Sequence, residues 1–158
     1  MREGLVLSNG VAFSPDCRLM YHADSRPGRI DVYDLDLASG ALSAPRRLID
    51  YAGKGRAGKV RLPDGCTADA EGLLWVAEID GWRVARYFPD GRLEREIMLP
   101  AQKPSNVDFG GPDMTTLFVT SIAYNLDAAA RAAQPAAGRV MAIETRIRGP
   151  AAAFPQPG

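Results

Sequence analysis

The stretch "SNGVAFSPDCRLMYHADS", residues 8–25, decides the fold because the chain repeats it. "PDGCTADAEGLLWVAEID", residues 63–80, aligns with it from Asn9 and Asp64 without a gap: Asp16-Cys17 falls on Glu71-Gly72, Leu19 on Leu74 and Tyr21 on Val76. A third copy, "PSNVDFGGPDMTTLFVTS", residues 104–121, carries a slightly longer turn. Each copy reads as strand, tight turn, strand, with alternating apolar residues on either side of a Gly, Pro or Asp turn signal.

A further shared element follows each copy. Gly28-Arg29-Ile30, Gly81-Trp82-Arg83-Val84 and Gly138-Arg139-Val140 open the runs "RIDVYDLD", "RVARYFPD" and "RVMAIET", which have the period of two of a half-buried strand. The first two runs close on "LASG" and "PDG" turns. Fourth strands follow in "ALSAPRRLI" (41–49) and "RLEREIML" (92–99), whose charge suits an outer edge. Four antiparallel strands recurring every few tens of residues is the pattern of a β-propeller blade. The reading is therefore an all-β fold of three and a bit blades over residues 1–150, with a proline-rich tail at 151–158. One helix is predicted, Leu126 to Gln134, in the connection of the last repeat. Leu19, Tyr21, Leu74, Val76, Leu117 and Val119 are the expected buried positions, and Trp75 and Trp82 read as packing residues.

The composition narrows the function classes. The 158 residues carry 19 Lys+Arg against 19 Asp+Glu, which argues against a nucleic-acid footprint or a polybasic membrane anchor. Lys54, Arg56, Lys59 and Arg61 form the one basic cluster, and it reads as a solvated, glycine-rich loop. No apolar run approaches the ~20 residues of a membrane span, and Met1-Arg2-Glu3 begins no secretory signal. Cys17 and Cys66 make no disulfide framework, so a reduced, cytoplasmic setting is the default. With His22 they have no metal-ligand spacing, and both read as small apolar fillers. A Ser-His-Asp triad built on His22 is not expected, since Ser8, Ser14 and Ser105 have no histidine partner that the sequence identifies.

Asn9 and Asp64 sit in Asn-Gly and Pro-Asp-Gly, where such residues commonly serve only the turn. Their shared offset before the innermost strand says more. Equivalent positions of successive blades surround one axis, so the two side chains can point at a common centre. The third copy has Ser105 at that offset and Asn106 one place later, which keeps a polar ring. An Asn oxygen with a carboxylate suits a hard cation, Ca²⁺ or Mg²⁺, with Mn²⁺ and Zn²⁺ also possible.

Together with "GRVMAIETRIRG" (138–149), the three repeats resemble the gluconolactonase / regucalcin (senescence marker protein) family, in order and over nearly all of the chain up to Pro150. The resemblance implies a six-bladed propeller with a divalent cation on its axis and hydrolysis of sugar lactones. It implies that Asn9 and Asp64 are metal ligands and that Asp64 is the acid–base group. It also implies a third ligand, a glutamate near the start of the family's chains, in a region that precedes Met1; Glu3 is not its counterpart. The expectation is thus the C-terminal half of a propeller, with a truncated reading frame as one possible origin. Within the repeats, Cys17 stands where the family has a turn glycine and His22 where it has an aromatic or aliphatic residue. The rival to a lactonase is a catalytically inactive fragment that binds a cation or a protein partner. A half ring is also expected to leave Val11, Phe13 and Tyr21 on an open face, and so to pair with a second copy through its edges.

Overall fold

The computed structural model describes residues 3–53, 55–56 and 59–150; Lys54 and the tail lie outside them. The first sheet is β1 (Ser8–Phe13), β2 (Leu19–Asp24), β3 (Arg29–Asp34) and β4 (Arg46–Asp50), antiparallel and in that order. A two-residue hairpin, β5 (Gly55–Arg56) and β6 (Lys59–Val60), links it to the second sheet. That sheet is β7 (Leu62–Ala68), β8 (Leu74–Ile79), β9 (Arg83–Tyr87) and β10 (Leu93–Met98). The third has three strands among the described residues: β11 (Pro104–Gly110), β12 (Thr116–Ser121) and β13 (Val140–Glu144). These are consecutive four-stranded blades and the greater part of another, as the repeats predict.

Between β12 and β13 lies the one α-helix among the described residues, α1 (Ala128–Ala133). It is shorter than expected because Asp127 caps its start, accepting from the Ala130 amide at 2.7 Å, and Gln134 closes it.

The blades stack through two apolar layers. Ala12, Tyr21, Ala23, Ile30 and Val32 of the first blade meet Cys66, Leu74, Val76, Ala85 and Tyr87 of the second. Trp75, Ala77 and Val84, on the second blade's other face, meet Val107, Phe109, Leu117 and Val119 of the third. Trp75 stands edge-on to Phe109, ring centres 6.0 Å apart. Each fully buried Ile, Leu, Val or Phe side chain in these layers contributes roughly 1.5–3 kcal/mol of transfer free energy, which is why the inter-blade faces hold the fold. Under Trp75, the buried Asp69 carboxylate accepts from the indole Nε1 (2.8 Å), Arg86 Nε (2.7 Å) and the Glu71 and Leu73 amides. The turn "DAEGL" is thereby tied to the blade face.

Two expectations need correction. The repeats are not gapless. Both turns place a left-handed residue at the same point, Cys17 (φ 55°) and Gly72 (φ 83°), but Ser14 N–H bonds Leu19 O while Asp69 N–H bonds Leu73 O. The first turn has one more residue, so Ala12 pairs with Tyr21 where Thr67 pairs with Trp75. A one-residue shift reverses the face of every side chain on a strand. Tyr21 is therefore the counterpart of Trp75, not of Val76, and lies 1% exposed against the second blade instead of on the open face. Val11 (49%) and Phe13 (46%) are exposed there as expected; Leu74, Val76, Leu117 and Val119 are buried, and Leu19 is half-buried. Second, of the basic loop cluster only the Arg61 side chain is described, and it is not simply solvated: its Nε lies 3.4 Å from Glu78 Oε2, a buried carboxylate that also holds Arg83 at 2.6 Å.

Candidate active site on the inner strands

β1, β7 and β11 are the first strands of their sheets, and neighbouring inner strands lie against one another. Each is bulged near its start. The pairing slips between Ser8 and Val11, between Pro63 and Cys66, and between Pro104 and Asn106, so that Asn9-Gly10, Asp64-Gly65 and Ser105 sit in the slips. A bulge inserts a residue and re-aims the local side chains. The turn-like sequences are thus neither plain turns nor plain strand. They are the points where the inner strands leave regular pairing.

The glycines let the strands close up. A Cβ on Gly10 would strike the Asp64 carbonyl oxygen and lie 2.9 Å from the Cys66 nitrogen; a Cβ on Gly65 would lie 2.6 Å from Asn106 Cγ. With that approach, the Asn9 side chain hydrogen-bonds the Asp64 carboxylate. The two residues singled out from the repeat are therefore neighbours across adjoining inner strands.

Asp64 is 6% exposed. Burial pushes its carboxyl up to about 6 against the Asn9 hydrogen bond, which pulls the other way, and no basic side chain among the described residues offsets the charge. The neighbouring Cys66 thiol is pushed up to about 12, first by its own burial and then by the Asp64 charge, which leaves it an inert filler.

A buried carboxylate without a cationic neighbour, joined to a carboxamide, is a hard oxygen donor set that fits a divalent cation. It is an incomplete set. Among the described residues no group of three or more His, Cys, Asp or Glu side chains could hold a metal.

The structure also brings together a pair not read from the sequence. Ser8 Oγ lies 2.8 Å from His22 Nε2. The two are 14 residues apart on opposite strands of one hairpin, and only the bulge in β1 aligns them. Asp31 stands opposite His22 in the register, and its carboxylate accepts from Arg47 Nε at 2.8 Å. Ser14 is bonded to Asp16 and Ser105 to Thr120.

Comparison with known proteins follows the same lines. The family described as SMP-30/Gluconolactonase/LRE-like region matches residues 1–123. The 6-deoxy-6-sulfogluconolactonase of Pseudomonas putida is 39% identical over 155 residues, 98% of this chain and 51% of that protein. Regucalcin of Danio rerio is 39% identical over 133 residues, 84% of this chain and 43% of the relative. The chain spans about half the length of the curated relatives it matches. Among solved structures, a calcium-binding regucalcin of Agrobacterium tumefaciens superposes with a TM-score of 0.83 at 29% identity, covering 92% of this chain and 48% of that one.

Proposed function

The chain belongs to the SMP-30/gluconolactonase/LRE-like family, and from that premise we propose that it carries part of the active site of a metal-dependent sugar lactonase. Asp64 is its acid–base group, and Asn9 and Asp64 are ligands to a divalent cation. The observation that carries this reading is the approach of Asn9 to a buried Asp64, which has no ion pair among the described residues, at the bulged ends of two inner strands.

A divalent cation held there, Ca²⁺ in the first instance, supplies polarisation of the lactone carbonyl and a counter-charge for the oxygen that turns anionic. The chain's own part is proton transfer. Asp64, with its carboxyl near 6, is ionised at neutral pH and still basic enough to take a proton from water. As that proton moves to a carboxylate oxygen, the water oxygen bonds the carbonyl carbon. When the ring C–O bond breaks, the same proton passes to the leaving alkoxide and the open-chain hydroxy acid results. Asn9 keeps the carboxylate in one orientation throughout.

Partners on this reading are a sugar lactone and, against the exposed Val11–Phe13 face of the first blade and Phe118 and Val140 on the third, a second copy of the chain. The two free cysteines suit a reducing cytoplasmic setting. The incomplete donor set favours a second reading, a non-catalytic propeller piece that binds a cation.

Hydrolysis of D-glucono-1,5-lactone, followed by proton release with Ca²⁺ present, separates the two. Asp64→Ala should lower kcat at least ~100-fold, the range of a general acid–base group. Turnover equal to the unmodified protein's would sink the lactonase reading. Calorimetric Ca²⁺ binding, weakened by Asn9→Ala and by Asp64→Ala but without turnover in any form, would leave the second.

A further inference from the structure

The bulges hold Asn9-Gly10 and Asp64-Gly65 on the first two inner strands and Ser105 on the third, where Asn106 follows it, paired with Thr120. In the third the polar group has moved one place on, and the sequence alone leaves Ser105 and Asn106 as equal candidates for the polar ring. The structure separates them. Ser105 Oγ is 2.8 Å from Thr120 Oγ1 on the paired strand, so its hydroxyl serves its own sheet. The Asn106 side chain crosses to the neighbouring blade and lies on Gly65. A Cβ at residue 65 would stand 2.6 Å from Asn106 Cγ and 2.7 Å from Asn106 Cα, and closer still to Oδ1. Only glycine at 65 leaves that space.

Asp64 thus stands between two carboxamides. Asn9 is bonded to its carboxylate on one side, and Asn106 rests against the adjoining peptide on the other. They differ in exposure: Asp64 is buried, Asn106 exposed. A carboxamide offers two N–H donors and a carbonyl acceptor without a charge. It can hydrogen-bond hydroxyl groups in either sense, and, being neutral, it does not repel an anionic product.

We propose that Asn106 is a substrate-binding residue that recognises a hydroxyl group of the sugar lactone while its carbonyl carbon is attacked beside Asp64. This rests on the lactonase reading above, and it makes Asn106 a determinant of sugar over plain lactones. Gly65 is the seat that fixes where its carboxamide points.

The test compares D-glucono-1,5-lactone with δ-valerolactone, which has the ester ring but no hydroxyls. Asn106→Ala should raise KM for the sugar lactone and cut the preference for it over valerolactone about tenfold, the loss of one or two hydrogen bonds, with kcat falling far less than in Asp64→Ala. Asn106→Ser, which keeps a donor and an acceptor, should recover part of the preference. Since Asn106 is exposed, the urea midpoint of either variant should stay where it was, and that is measured alongside. A fall in both substrates by the same factor would show a merely structural role and overturn the proposal. Should the unmodified protein turn over neither lactone, the lactonase reading fails separately, and titration with glucono-1,5-lactam followed by amide NMR decides for Asn106. Binding weakened about tenfold in Asn106→Ala supports the subsite; equal binding, or none to the unmodified protein, overturns it.

Discussion

Replacing Asp64 by asparagine should stabilise the cation-free chain at about pH 8 and do almost nothing at about pH 4. The carboxyl titrates near 6 in the fold and near 3.8 when exposed. Below 3.8 it is protonated in both states and contributes nothing. Between the two values the unfolded chain releases the proton while the folded chain holds it, so stability falls as pH rises, and above about 6 the loss is complete. A shift of about two units at 1.36 kcal/mol each gives a penalty of about 3 kcal/mol at its upper end. Asparagine has the same shape, carries no charge to desolvate, and can still accept from Asn9. Urea unfolding of both proteins at several pH values should therefore show the variant gaining about 2–3 kcal/mol at pH 8, with the gap closing towards pH 4. Saturating Ca²⁺ should close it from the other side, because a ligand present at about 100 times its Kd stabilises only the form that binds it, by about 2.7 kcal/mol. A variant less stable than its parent at pH 8 would refute the reasoning. It would mean that the carboxylate is a structural turn acceptor whose charge the fold needs.

Three other outcomes follow from the packing. Asp69→Ala leaves the Arg86 guanidinium and the Trp75 indole without their shared acceptor beneath the second blade face, and should cost about 3–5 kcal/mol in urea unfolding; a loss below about 1 kcal/mol would show that Glu71 and Glu94, which also reach Arg86, carry the pair alone. A thiol reagent at about pH 8 should label the exposed Cys17 quickly and Cys66 only after unfolding, since Cys66 is buried and its thiol is held near 12; mass spectrometry of the native protein finding both labelled would contradict the burial. The 158-residue chain on its own should scatter light as a dimer or larger, because Val11, Phe13, Phe118 and Val140 present apolar faces equivalent to those buried between the blades. A stable monomer would show that these faces are tolerated in water.

The amino-acid sequence by itself determined the strand-rich repeat, its blades and the matched offset of Asn9 and Asp64. These are carried by turn residues and by alternation with a period of two, both of which are local. Tertiary structure decided the rest, and in each case through a relation between strands. Arg18 lengthens one turn by a residue, and that slip, which leaves the alternation intact, turns Tyr21 from the open face into the layer against the second blade. The bulge in β1 aligns Ser8 with His22. The choice of Asn106 over Ser105 rests on a contact with Gly65, on a neighbouring blade, that no spacing along the chain encodes. The same holds for Arg61, read as part of a solvated cluster, which stands just before β7 while its partner Glu78 is buried on the adjacent β8. Period and punctuation fix which residues share a strand; the hydrogen-bond register, and the bulges that interrupt it, fix which of them meet.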